Sequence, residues 1–168
     1  MMDVETAARW SAWPAVICYA TAWALFLWRP DRRTRTWIRL IWTVGWLALV
    51  VHVVLALALV HGWSWSAAYE HTARRTASLF GWNWGGGVWF NLLTAGVWGA
   101  DVLRMWTTRS APDSPSSWRW SAVQWYLAFM MLNATVVFGS HFAQLIGCLI
   151  CAGFAAIAGF NQKLRRNA

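Results

Sequence analysis

The chain has 168 residues, of which 59% are hydrophobic and 12% are charged, and seventeen of them are tryptophan. Soluble domains contain roughly 45–50% apolar residues, so this composition argues against a water-soluble globule and against a disordered chain. The formal net charge is +8, but most basic residues stand in short runs beside apolar stretches. That placement is typical of membrane-protein loops and argues against nucleic acid as a partner.

Five apolar stretches are long enough to cross a bilayer as helices. The hydrocarbon core is about 30 Å thick and needs about 20 mostly apolar residues per helix, because only a helix satisfies its own backbone hydrogen bonds in lipid. The sequence therefore predicts an all-α integral membrane protein, a single domain over residues 1–168 with a bundle of five transmembrane helices. The expected spans are about residues 10–28, 38–60, 86–104, 120–138 and 141–160.

The basic residues predict how these helices are oriented. Eleven of the fourteen follow the first, third or fifth expected span, whereas Arg9, Arg74 and Arg75 fall on the other side. Because basic loops stay in the cytoplasm, we expect the N-terminus outside and the C-terminus inside, in a bacterial cytoplasmic membrane. A four-span alternative would place the C-terminal basic cluster outside. The acidic N-terminus lacks the basic start of a signal peptide, so the first span is expected to remain in the mature protein.

A further short helix is predicted between the second and third spans, at about residues 66–80. Tyr69, Ala73, Thr76 and Phe80 recur at helical spacing on one face, so we expect the helix to lie on the outer membrane interface. The polar residues of this segment occupy another face, namely His71, Arg74, Arg75 and Ser78. The glycine triplet at residues 85–87 then predicts a turn into the third span. Two local ion pairs are also expected from spacing, Glu70 with Arg74 and Asp101 with Arg104.

Small residues indicate which side of each span faces the bundle, because helices in lipid associate through close packing. The predicted inward stripes are Gly45, Ala48, His52 and Ala56 in the second span, Gly87, Asn91, Ala95 and Gly99 in the third, and Gln144, Cys148, Cys151, Ala155 and Gly159 in the fifth. At a rise of about 1.5 Å per residue, His52, Asn91 and Asn133 fall within roughly 6–12 Å of the outer boundary. These three polar side chains are therefore expected to meet.

Four side chains form the candidate cofactor site, namely His52, Asn91, Asn133 and His141. An ionisable residue inside a span is costly and is a functional candidate by default. A neutral histidine there can ligate haem iron or copper, or exchange a proton with a quinone. The structural alternative is an imidazole that shares hydrogen bonds with Asn91 or Asn133 and fixes the helix register.

The candidate metal ligands are His61 and His71, at or beyond the outer boundary, and the Cys148-x-x-Cys151 pair. A structural zinc site normally needs a second ligand pair, so the two thiols are interpreted mainly as small buried hydrophobic side chains. Cys18 lies at a comparable depth and is a candidate third thiol that would complete a copper(I) site if its helix lies beside the fifth span.

Three functions remain open at this stage. The first is an accessory, assembly or partner-binding protein that associates with other membrane subunits. The second is a redox protein that binds haem, copper or quinone in the outer half of the bundle, and the third is a small-solute transporter or channel. We favour the first, because the sequence contains no metalloprotease, phosphate-binding or dinucleotide-binding motif.

Overall fold

The computed structural model of the protein describes residues 4–27, 32–107, 118–137, 139, 141 and 143–153. Every element in these ranges is helical and no strand forms among them, in agreement with the all-α class. The α-helices are α1 (Val4–Trp10), α2 (Trp13–Leu27), α3 (Arg32–Leu55), α4 (Trp65–Phe80), α5 (Gly87–Thr107), α6 (Trp118–Leu132) and α7 (Ala143–Gly153). The expected inner loop at 110–117, the end of the fifth span at 154–160 and the basic residues 163–166 lie outside the described residues.

Two helices change to π-helix towards one end of the bundle. Ala56–Val60 continues α3, and Asn133–Val137 continues α6. A π-turn widens the helix and changes the direction of the side chains that follow it, and such turns are frequent at functional sites. Both π segments lie at the end of the bundle where α4 packs on α5, which is called the α4 end below.

Of the described helices, one is long and apolar enough by itself to cross a membrane. It is α3 with its π continuation, Arg33–Val60, and its most apolar 18-residue stretch has a mean hydropathy of 2.5. Only 11% of that stretch is buried inside the protein, unlike the core helix of a soluble domain. α5 has sufficient length, but Asn91, Asp101 and Arg104 lower its mean hydropathy. Ala122–Val137 and Ala143–Gly153 are apolar but shorter.

The first expected span begins differently from the prediction. Instead of one helix from residue 10, α1 and α2 are separated by a turn at Ser11 and Ala12. Pro14 has no backbone N–H and its ring crowds the preceding turn, so it is tolerated at the start of α2 but would disturb the middle of a longer helix. α1 packs against the π segment that ends α3.

The core lies where α2, α3 and α5 pack together. The rings of Tyr19, Trp42 and Trp98 meet with centroids 5.0–6.0 Å apart. Beside them the buried Asp101 carboxylate accepts hydrogen bonds from Trp42 Nε1 at 3.1 Å and from Arg104 Nε at 3.0 Å. The pairing of Asp101 with Arg104 is as predicted, and the tryptophan adds a second donor.

Glycines allow the closest helix contacts. A Cβ atom on Gly45 would lie 2.8 Å from Cβ of Cys18, and one on Gly99 would lie 2.8 Å from Nε1 of Trp46. Both glycines belong to the inward stripes predicted for the second and third spans. The same interpretation is wrong for the fifth span, where Cys148 and Cys151 are exposed. The packed face of α7 instead contains Ala143 and Gly147, and Gly147 lies against Thr135 and Val136.

The helix α4 spans nearly the residues expected for the interfacial helix. It begins after Ser64, whose hydroxyl accepts a hydrogen bond from the backbone N–H of Ala67, and it ends at Gly81, which adopts φ of +77°. Within the stripe of Tyr69, Ala73, Thr76 and Phe80, the two middle residues are buried and the two outer ones are exposed. The exposed Glu70–Arg74 pair is present at 3.7 Å.

Candidate functional site

A cavity of about 680 Å³ lies at the α4 end of the bundle. Its walls come from α1 to α6, the π segment after α6, and the loop that joins α4 to α5. Protein cavities that bind small molecules typically measure roughly 300–1,000 Å³, so this one has the size of a ligand site.

Three of the four candidate cofactor residues line this cavity, namely His52, Asn91 and Asn133. The amide Nδ2 of Asn133 donates to the carbonyl oxygen of Phe129 in its own helix at 2.8 Å. His141 is exposed and is not part of the described lining, although Gly139 and Ala143 on either side of it are. The structure therefore brings together side chains from α3, α5 and α6 that are far apart in sequence.

The hydrogen bonds of His52 differ from those expected. Its Nδ1 lies 3.1 Å from the carbonyl oxygen of Ala8 and 2.9 Å from Oγ of Ser11. The structural alternative assigned this ring to Asn91 or Asn133, but its described partners belong to α1 and the turn after it. Ser11 itself belongs to the turn between α1 and α2.

The contact with Ala8 favours one tautomer of His52. A carbonyl oxygen can only accept, so this contact is a hydrogen bond when Nδ1 carries the proton. Ser11 Oγ donates its own proton to the same carbonyl at 2.7 Å, which leaves the hydroxyl lone pairs free to accept from Nδ1. In this tautomer Nε2 is unprotonated and can accept a hydrogen bond or bind a ligand. A histidine held in this way by a backbone carbonyl is the usual arrangement for an imidazole that acts as an acceptor or a ligand.

Basic side chains from two helices also line the cavity. Arg9 comes from α1, and His71 and Arg75 come from successive turns of α4. None of the lining residues within the described ranges is Asp or Glu. The cavity wall is therefore rich in hydrogen-bond donors that favour negative charge.

The remaining wall is largely aromatic, with Trp13, Phe80, Trp82, Trp84, Phe90 and Phe129 as its rings. Two glycines fix the loop that carries Trp82 and Trp84. A Cβ atom on Gly85 would collide with the backbone and ring of Tyr69, and one on Gly86 would collide with the ring of Trp84. The glycine triplet thus acts as the predicted turn and also brings the two tryptophans to the cavity.

The candidate metal ligands fall into two separate places. The rings of His61 and His71 lie 5.3 Å apart at an angle of 67°, and His71 also lines the cavity. Cys148 and Cys151 are exposed on α7 and do not line the cavity. Among the described residues no three His, Cys, Asp or Glu side chains gather as a metal-binding group.

Sequence reasoning missed Arg9, Ser11 and Arg75 as parts of this region. Arg9 was assigned to the outer side of the membrane, yet it lines the cavity. Arg75 was assigned to a different face of α4 from Thr76 and Phe80, yet Arg75, Thr76 and Phe80 all line the cavity. Neighbouring residues on a helix differ by about 100° in direction, so a wide cavity can contact both. A usable signal was the spacing of Arg9, Trp13 and Val16, which repeats one helical face across the Ser11 turn.

The comparisons with known proteins found nothing similar: no family model, curated protein or solved structure matches the chain.

Proposed function

We propose that the protein crosses a bilayer five times, with its N-terminus outside, and binds a membrane-soluble ligand in the cavity at the outer end of the bundle. The proposed spans contain α2, α3 with its π continuation, α5, α6 with its π continuation, and α7. In this arrangement α4 lies on the outer interface and covers the cavity.

The membrane part of this proposal depends on the side of α3 that is exposed on the surface of the protein. Its side chains at residues 37, 40, 44, 47, 51 and 54 are all apolar, and each is 40–54% exposed. Their spacing of three and four residues forms one continuous stripe about 25 Å long at the helical rise of 1.5 Å. Soluble monomers rarely expose a contiguous apolar surface of this kind, whereas it matches the thickness of a hydrocarbon core.

The buried residues support the same environment by their polarity. Thr94, Asp101, Gln124 and Thr135 are buried, while Trp125 is 78% exposed. Buried polar side chains are uncommon in a small water-soluble domain. In lipid, polar groups inside spans face the bundle, so these four residues support a membrane environment.

The cavity favours a binding protein over the other functions considered. An unfilled apolar cavity costs packing energy, so a cavity of this size is best explained by an occupant. The donor set and the available Nε2 of His52 support a polar or ionic part in that occupant. Transport would need a path past the buried rings of Tyr19, Trp42 and Trp98, which lie well inside α2, α3 and α5. No contact among the described residues supports the accessory-subunit function over ligand binding.

The test is to purify the protein in detergent and identify the small molecules it retains. Solvent extracts are analysed by mass spectrometry, with an absorption spectrum and metal analysis to detect haem, quinone or copper. Ala134→Trp places a large ring in the cavity, and Ala122→Trp on the same helix is the matched control, because Ala122 is exposed and outside the described lining. We expect a stoichiometric molecule in the wild type and the control that is lost in Ala134→Trp. Identical extracts from all three proteins would contradict a ligand in this cavity.

A further inference from the structure

We propose that the cavity ligand is an anionic amphiphile of the membrane, whose phosphate or carboxylate headgroup lies among Arg9, His71 and Arg75. This inference rests on the proposed function and specifies the chemical class of its ligand. It depends on three observations: the placement of the basic side chains, the aromatic wall, and the position of α4.

The basic side chains converge from separate elements. His71 and Arg75 stand four residues apart on α4, so they share one face, and Arg9 approaches from α1. The neighbouring arginine on α4 is arranged differently, because Arg74 points outward and pairs with Glu70 on the surface. The helix therefore directs one arginine to the cavity and the adjacent one away from it. Guanidinium groups bind phosphate and carboxylate oxygens through paired, charge-assisted hydrogen bonds.

The aromatic wall indicates that the ligand also has an apolar part. Phe80 and Phe129 are 60% and 58% exposed, yet both line the same cavity. Rings that are exposed towards a common space offer a large apolar surface to an occupant. A free inorganic anion would leave this surface uncovered, whereas the chains of a lipid would cover it.

The position of α4 favours a lipid over a soluble anion as the source of the headgroup. In the proposed topology α4 lies at the level of the headgroups, with Trp65 and Trp89 stacked 6.0 Å apart beside it. Tryptophan is enriched at this level of the bilayer. An anionic lipid of the outer leaflet can then place its headgroup under α4 while its chains remain in the hydrocarbon region.

Binding of short-chain phosphatidylglycerol tests this inference. The delipidated protein is titrated in a neutral detergent, and bound lipid is counted by native mass spectrometry. Phosphatidylcholine of the same chain length and inorganic phosphate are titrated separately. We expect phosphatidylglycerol to bind at least tenfold more tightly than phosphatidylcholine, and inorganic phosphate to bind more weakly than phosphatidylglycerol.

Adjacent arginines supply matched variants. Arg75→Gln is expected to weaken phosphatidylglycerol binding about tenfold, the effect of losing one charge-assisted hydrogen bond, whereas Arg74→Gln leaves binding unchanged. Arg9→Gln, on a different helix, provides an independent variant if Arg75→Gln does not fold, and it should weaken the same lipid.

The outcomes separate this inference from the function on which it rests. Equal binding of the two lipids that Ala134→Trp abolishes would contradict the anionic class and leave the cavity as a binding site. Inorganic phosphate binding as tightly as phosphatidylglycerol would contradict the amphiphile and indicate a soluble anion. If no lipid binds and Ala134→Trp changes no extract, both proposals fail.

Discussion

Nε1 of Trp46 on α3 donates a hydrogen bond to the carbonyl oxygen of Ala95 on α5 at 2.9 Å, and the same indole covers Gly99 one turn further along. The carbonyl of Ala95 already belongs to the helix ladder, so it accepts the indole with its second lone pair. The acceptor in this contact between α3 and α5 is a backbone carbonyl, so a substitution at residue 95 would not remove it. Its geometry depends on the absence of a side chain at residue 99.

Gly99→Ala should therefore destabilise the bundle. The added Cβ would lie 2.8 Å from Nε1 of Trp46 and push the indole from its acceptor. We expect a loss of about 1–3 kcal/mol in the free energy of unfolding, as for other overpacked sites.

Gly96→Ala on the same helix is the control, because nothing lies within 4 Å of its added Cβ. It should be neutral or stabilise by up to about 1 kcal/mol through helix propensity. Detergent unfolding followed by circular dichroism measures both, and equal effects would show that α3 and α5 do not pack as described.

The two core tryptophans Trp42 and Trp98 should respond differently to the same replacement. Trp42→Phe removes the donor at 3.1 Å from the buried Asp101, whereas Nε1 of Trp98 has no hydrogen-bond partner in the described part of the chain. Both changes delete the same volume from a buried ring. We expect Trp42→Phe to lower the free energy of unfolding by about 1–3 kcal/mol more than Trp98→Phe. The same unfolding assay tests this difference. A larger loss in Trp98→Phe would argue against the hydrogen bond to Asp101.

His52→Leu separates a ligand role from a purely structural one. The carbonyl of Ala8 keeps the hydroxyl of Ser11 as a donor at 2.7 Å, so removing the imidazole leaves no buried acceptor without a partner. We expect a stability change below about 1 kcal/mol together with loss of the retained cavity ligand. His141→Leu is the control, because His141 is exposed and is not part of the described lining. Mass spectrometry of extracts and thermal unfolding are measured on the same preparations. Strong destabilisation with the ligand retained would mean that His52 serves only to fix helix register.

The sequence predicted the all-α class correctly, because long apolar runs at helical spacing favour helices. The convergence of His52, Asn91 and Asn133 could also be predicted, since their depths follow from the helical rise and their faces from neighbouring small residues. The partners of His52 could not, because they depend on how α1 and the short turn at Ser11 pack against the end of α3. A turn of one or two residues leaves no periodic signal.

The face of α7 shows a second limit of sequence patterns. The stripe that contains Cys148 and Cys151 and the stripe that contains Ala143 and Gly147 are both small and helical in spacing. The two stripes differ in which residues of other helices they contact. Contact with Thr135 and Val136 selects the second stripe, and that contact depends on how α6 and α7 pack.

The most direct test of a five-span membrane arrangement is cysteine labelling in intact cells. The native Cys18, Cys148 and Cys151 are first replaced by alanine, and single cysteines are introduced as Ser78→Cys, Arg33→Cys and Ala168→Cys. A membrane-impermeant maleimide should label Ser78→Cys on α4 before lysis, and the other two positions only after lysis. Labelling of Ala168→Cys in intact cells, or recovery of the protein in the aqueous fraction without detergent, would contradict five spans with an outer cavity.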